Sequence, residues 1–209
     1  MSQADEEWSS AGSRVERLTL FSDAIFAFAM TLLAVNIRVP EIAQSLVSSQ
    51  LYSEIANLTP KFIGFGLSFF ISGSYWIFYH RIFGNIKRYD RTLIWLNLLF
   101  LLFIVLIPFP SDLLGRYITQ EISIIIYAAL MAATGLALGL IWFYASYHRR
   151  LIDDGLSDFA VRRLTIRTYV APILFLVSMP ASLLLSTFTP ILWVLVYPIN
   201  VLIDRFYKK

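Results

Sequence analysis

Six stretches of the chain are apolar over the length of a helix, and charged residues collect between them. Five of the stretches are long enough, at 1.5 Å of rise per residue, to cross the ~30 Å hydrocarbon layer of a membrane, and the sixth is shorter. This pattern predicts an all-α, polytopic membrane protein that forms one transmembrane domain over residues 1–209, with no extramembrane domain. The six transmembrane helices are expected at about 20–38, 61–80, 92–110, 122–146, 168–187 and 190–203.

The segments outside these spans are short. Residues 1–13 are acidic and polar, so they are expected to form a flexible tail, and they lack the basic start and cleavage site of a secretory signal. The first span is therefore expected to be retained. A polar linker is expected at about 40–60, and Pro108 and Pro110 are expected to end the third span.

The basic residues predict the topology. If the tail, the loops at 81–91 and 147–167 and the end of the chain face the cytoplasm, 14 of the 17 Lys and Arg residues lie inside. Cytoplasmic loops of membrane proteins carry such an excess. The chain is therefore expected to be a multi-pass protein of the cell membrane with both termini in the cytoplasm, which leaves three basic residues outside: Arg38, Lys61 and Arg116.

Composition agrees with a membrane location and excludes several functions. The chain is 58% hydrophobic and 15% charged, against about 45–50% and 25% in soluble domains. Its net charge of +3 comes from residues between the spans, so topology explains it better than a nucleic-acid partner. The chain has no cysteine, and the nearest catalytic candidate, His148 beside Asp153 and Asp154, lies in a charged loop. We therefore expect no enzyme activity, no catalytic residues, no metal site and no cofactor.

The first span carries one acid. Between Leu20 and Ile37 only Asp23 is ionisable, and such a residue costs about 2.5–3.5 kcal/mol inside a membrane unless it is paired. At about 100° per residue, an apolar stripe lies about 140° away from Asp23 around the helix. Either Asp23 lines a polar path, or the stripe lines a narrow apolar pore while Asp23 packs against helices behind it. The stripe consists of Phe28, Thr31, Leu32 and Val35, with Phe21 and Ala24 in line.

Polar residues of the next two spans lie at the same depth as Asp23. Trp76 and His80 are one helical turn apart in the second span, and Asn97 lies in the third. These groups predict a buried hydrogen-bonded cluster, which lowers the cost of each member. Arg17, just before the first span, either joins this cluster or anchors the helix at the headgroups.

The segment Arg17-x-x-x-Phe21-Ser22-Asp23 resembles the RxxxFSD signature of the transmembrane protein 175 family of potassium channels. The resemblance extends over about the first 110 residues. It includes Trp76, His80, Asn97 and the end of the third span at Leu106, Pro108 and Phe109.

The resemblance implies a potassium-permeable cation channel, assembled as a homotetramer, in which the first helix of each copy lines the pore. Phe28 then forms an apolar constriction, which acts as a hydrophobic gate, and Thr31 and Val35 also face the pore. Phe28 departs from the isoleucine or leucine usual in the family. Potassium and other monovalent cations would be permeant ions rather than cofactors. The alternative is a secondary or proton-coupled transporter in which Asp23 and His80 relay protons.

Overall fold

The computed structural model describes residues 3–185 and 188–206, with side chains from Val15 onward. Over these ranges the chain is helical and forms no β-strand. The described residues form nine α-helices: α1 Gln3–Val35, α2 Val47–Asn57, α3 Thr59–Phe83, α4 Arg91–Leu106, α5 Pro108–Arg116, α6 Glu121–Ser146, α7 Asp158–Leu185, α8 Thr189–Val194 and α9 Val196–Phe206.

The described part of the chain contains six helical segments that are long and apolar enough to cross a membrane. The all-α, six-span architecture predicted from hydropathy is therefore confirmed. The segments are Val15–Val35, Gln44–Phe83, Arg91–Arg116, Glu121–Arg149, Asp158–Leu185 and Thr189–Phe206.

Two segments expected to be irregular are helical. Helix α1 begins at Gln3, so the tail expected over 1–13 is largely helix, because its Ala, Glu and Gln residues favour that conformation. The linker expected at 40–60 contains α2. In α2 the apolar residues Val47, Leu51 and Ile55 recur every four positions, as they do on one side of a helix.

Proline has a different effect from the one expected in the third span. The helix breaks at Ile107, and Pro108 then begins α5, which continues to Arg116. Proline suits the first turn of a helix, because the backbone N–H it lacks has no partner there. The sixth span is also divided, into α8 and α9, and it extends to Phe206 rather than ending near residue 203.

Helix α6 is the core of the protein and α1 lies at its edge. Helix α6 packs against α7 and α4, whereas α1 packs against α3 and α4 on one side. In the most apolar part of each span, 61% of α6 is buried but only 22% of α1. Helix α1 therefore keeps a long apolar face that the other described residues do not cover.

Glycine allows α6 and α7 to approach closely. A Cβ atom on Gly135 would lie 2.8 Å from Pro172 Cδ, and one on Gly139 would lie 2.8 Å from Tyr169 Cε1. A Cβ atom does not come this close unless something shifts. Position 135 therefore requires glycine for this packing, because the Pro172 ring is fixed to its backbone, whereas a Cβ atom at position 139 would require the Tyr169 ring to move.

We expect Gly135→Ala to destabilise the fold by about 1–3 kcal/mol, because the Pro172 ring is fixed to its backbone and cannot move away from the added methyl group. Thermal unfolding of the purified protein in detergent measures the effect. The control is Gly66→Ala in α3, where a Cβ atom meets nothing within 4 Å. That variant is expected to be unchanged or slightly more stable, since alanine favours helix. Equal melting temperatures of the two variants would contradict the packing argument.

The loops at the basic end of the bundle are joined. Ile86, after α3, pairs with Ile152, before α7, in a short antiparallel bridge. The Lys87 N–H donates to the Leu151 carbonyl at 2.8 Å. An ion pair of 2.7 Å between Arg88 and Asp154 also links the two loops. The loops after α3 and α6 therefore form one connected unit.

Candidate pore helix and polar cluster

The residues of the predicted stripe lie on the uncovered face of α1. Phe28 is 59% exposed and Val35 is 61% exposed, and Thr31 is exposed between them. Leu32 is half-buried at the side of this face. The opposite face of α1 is buried in the protein through Ser22, Phe26, Ala29 and Leu33.

Small residues interrupt the uncovered face of α1. Ala24, Ala27, Thr31 and Ala34 are all exposed and are spaced by three or four positions. Such spacing lets helix backbones approach closely in a membrane. The face is therefore suited to contact another helix rather than lipid alone.

Thr31 presents an oxygen on this face. Its hydroxyl donates to the Ala27 carbonyl at 2.7 Å. Because the hydroxyl hydrogen is used in this bond, the oxygen lone pairs remain free to accept from water or to bind a cation.

The buried side of the RxxxFSD segment is held by Ser22. Its hydroxyl is fully buried, accepts from Tyr79 at 2.7 Å and from the Asn97 amide at 3.1 Å, and donates to the Leu18 carbonyl at 2.9 Å. Asn97 is also fully buried, and its Oδ1 has no partner among the described residues. Ser22 thus joins α1 to both α3 and α4.

Asp23 contacts α3 within one turn of Tyr79, the residue that Ser22 contacts. The Trp76 indole donates to Asp23 Oδ1 at 2.9 Å, and His80 Nε2 lies 3.3 Å from the same oxygen. This site is at the edge of the bundle, since the Asp23 side chain is 34% exposed. The structure brings Asp23, Trp76 and His80 together in one group and Ser22 and Asn97 in an adjacent one.

His80 contacts two acceptors. Its Nδ1 lies 3.1 Å from the Trp76 carbonyl, while Nε2 faces Asp23. A neutral imidazole has one N–H and satisfies one of these acceptors, whereas the cationic form satisfies both. The group is thus a carboxylate with one fixed N–H donor, Trp76, and a histidine whose Nε2 donates to it only when that nitrogen carries the hydrogen.

The structure separates Arg17 and Phe21 from this cluster. Arg17 is exposed and forms no ion pair with any side chain that the structure describes. Phe21 is 50% exposed on the same face as Phe28. Of the signature residues, Ser22 and Asp23 form the polar contacts with the helices behind α1.

Tyr79 and a second set of buried hydrogen bonds were not predicted from the sequence. Tyr79 is fully buried, and its ring stacks on Phe100 with centroids 5.6 Å apart. Deeper in the bundle, Ser68 hydrogen-bonds with Tyr127 at 3.0 Å and with Ser111 at 2.7 Å. The tyrosine and serine residues inside apolar spans did indicate such contacts, because a hydroxyl group buried among apolar side chains needs a hydrogen-bond partner.

These contacts define a class of protein: a six-span helical membrane protein in which a polar cluster attaches one side of the first helix to the bundle. Residues 17–108 match the family described as the endosomal/lysosomal potassium channel TMEM175. A protein named potassium channel from Streptomyces collinus is 30% identical over 155 residues, which are 72% of this chain and 74% of that protein. A potassium channel from Chamaesiphon minutus is 30% identical over 173 residues, 81% and 85% of the two chains.

A solved structure has the same fold. The crystal structure of a lysosomal potassium-selective channel TMEM175 homolog from Chamaesiphon minutus superposes with a TM-score of 0.78 at 27% identity. The match covers 92% of this chain and 99% of that one. The chain belongs to the TMEM175 family.

Proposed function

We propose that this chain is a potassium channel subunit of the cell membrane, that four copies surround one pore, and that α1 of each copy lines it. The chain belongs to a family whose relatives are named potassium channels, and this supports potassium as the permeant ion. The observation that supports α1 as the pore-lining helix is its uncovered face, on which Phe28, Thr31 and Val35 are all exposed.

The proposed pore combines an apolar neck with a polar ring. Four Phe28 side chains around an axis exclude water when they are close together, so an ion crosses only when the neck widens. Four Thr31 oxygens, about one turn along α1, then replace part of the hydration shell of a weakly hydrated cation. Val35 continues the narrow apolar path one turn farther.

The polar cluster has a structural role in this proposal. Asp23 and Ser22 attach one side of α1 to α3 and α4, which turns Phe28 and Thr31 away from the protein core. Both chain termini are proposed to lie in the cytoplasm, as the distribution of basic residues favours. Ion flux through such a pore is passive and involves no catalysis.

Protein reconstituted into planar bilayers is expected to carry potassium current in unitary steps, with a reversal potential close to the potassium equilibrium potential. Empty bilayers and bilayers with heat-denatured protein are the controls. Slow, saturable, proton-coupled flux without unitary current would instead identify a transporter in which Asp23 and His80 relay protons.

The oligomeric state is tested separately. Native mass spectrometry of the purified protein is expected to give four times the chain mass of 24.0 kDa. A monomer or a dimer that still conducts potassium would rule out the proposed arrangement around α1.

A further inference from the structure

A cluster of arginines lies where α7 and α9 meet. Arg163 and Arg167, one turn apart on α7, both bind Oδ1 of Asp204 on α9. Arg163 donates through Nε at 3.1 Å and Nη2 at 2.5 Å, and Arg167 donates through Nη1. Arg167 is 8% exposed, and its Nε also donates to Asn200 Oδ1 at 3.4 Å. One carboxylate therefore serves two guanidinium groups.

A third arginine reaches the cluster from α3. The Phe78 ring has Arg81 Cζ at 5.6 Å from its centroid and Arg167 Cζ at 5.5 Å. Arg81 interacts electrostatically with both Arg167 and Asp204, and it forms no ion pair with the described residues. Three positive charges against one negative charge leave a local excess of two.

The cluster lies at the boundary of the apolar spans. Arg81 is two residues before the end of α3, and Asp204 is two residues before the end of α9. Apolar and uncovered side chains lie one helical turn from the arginines: Ile77, four residues before Arg81, is 46% exposed, and Ile166, three residues after Arg163, is 37% exposed. The arginine cluster thus places unbalanced positive charge next to an exposed apolar surface that lipid acyl chains can cover.

We propose that Arg81 and Arg163 bind the phosphate of an anionic phospholipid at this end of the bundle, with Arg167 supplying positive charge from behind. The planar guanidinium group donates paired hydrogen bonds that match phosphate geometry. Basic pockets between membrane helices bind acidic headgroups in this way. The uncovered side chains Ile77 and Ile166 then contact the acyl chains. This site goes beyond the proposed channel function and does not depend on ion conduction.

The test measures lipid binding by native mass spectrometry of detergent-purified protein with added phosphatidylglycerol or phosphatidylcholine. Phosphatidylglycerol is expected to bind preferentially, and Arg81→Gln is expected to weaken its binding about fivefold. Arg81→Gln leaves both ion pairs of Asp204 in place, so its melting temperature without added lipid is expected to equal that of the unmodified protein.

The matched control is Arg162→Gln, which removes the same charge next to Arg163 from an exposed position with no contact to Asp204. This variant is expected to bind phosphatidylglycerol as the unmodified protein does. Equal weakening by both variants would show diffuse surface charge and overturn the proposal. Full competition by inorganic phosphate would identify a free-anion site and overturn the lipid assignment. Arg81→Gln with unchanged binding would also overturn it.

Discussion

Phe28→Ala is expected to raise the unitary potassium conductance about tenfold, the effect of a permeation barrier lower by about 1.4 kcal/mol. The physical reason is that Phe28 is the most exposed phenylalanine of α1, at 59%, and lies on the face proposed to line the pore. Replacing it in four copies widens the neck and lets water enter. Discrimination between potassium and sodium is expected to fall at the same time, because a wider neck admits ions with more of their hydration shell.

The control for this measurement is Phe143→Ala on α6, since Phe143 is also a largely exposed phenylalanine, at 55%, but is not on the proposed pore helix. Single-channel recording of both variants in the same bilayer separates a pore effect from a general loss of surface area. Unchanged conductance and selectivity in Phe28→Ala would assign the stripe to lipid or helix packing.

Asp23→Asn is expected to weaken the assembled protein while leaving the selectivity of any intact assembly unchanged. Asp23 accepts from Trp76 and faces His80, and hydrogen bonds to a charged group contribute about 1.5–3 kcal/mol each. Partial exposure lowers this to about 1–2 kcal/mol per subunit. These contacts lie within one chain, so their loss lowers the stability of each subunit, and the yield of the proposed tetramer in detergent is expected to fall with it.

Trp76→Phe provides the comparison, because it removes one donor and leaves the carboxylate in place. Its loss of stability is expected to overlap with that of Asp23→Asn, so the double variant falls short of the sum of the two. Size-exclusion chromatography and thermal unfolding report stability, and reversal potentials report selectivity. A changed selectivity in an intact Asp23→Asn tetramer would mean that Asp23, not the Phe28 face, lines the ion path.

Hydropathy and charge were sufficient to predict the six spans, because a bilayer requires about 20 apolar residues for each crossing. They could not predict the division of the third span at Ile107, since proline ends one helix and begins the next with equal ease. Helix α2 was not predicted either, because its five apolar residues are mixed with six polar ones in a segment of only 11 residues.

The sequence could also predict only part of the candidate site. A helical wheel separated Phe28 from Asp23, because angular position depends only on sequence spacing. The partner of Ser22 could not be found in this way, since Tyr79 lies on another helix and its approach depends on how α1 and α3 cross. The binding of Arg163 and Arg167 to the one carboxylate of Asp204 could not be predicted either, because α7 and α9 are more than 30 residues apart in sequence at that contact.

The bridge between Ile86 and Ile152 restricts how this protein can move. It connects the end of α3, which holds the polar cluster of α1, to the start of α7, which packs on the central helix α6. Bending α3 or α7 alone at this end would break this connection. Widening of the proposed neck is therefore expected to move α3 and α7 together, as in a tilt of the whole subunit, so the work of opening is done at the proposed subunit boundaries and against the surrounding bilayer.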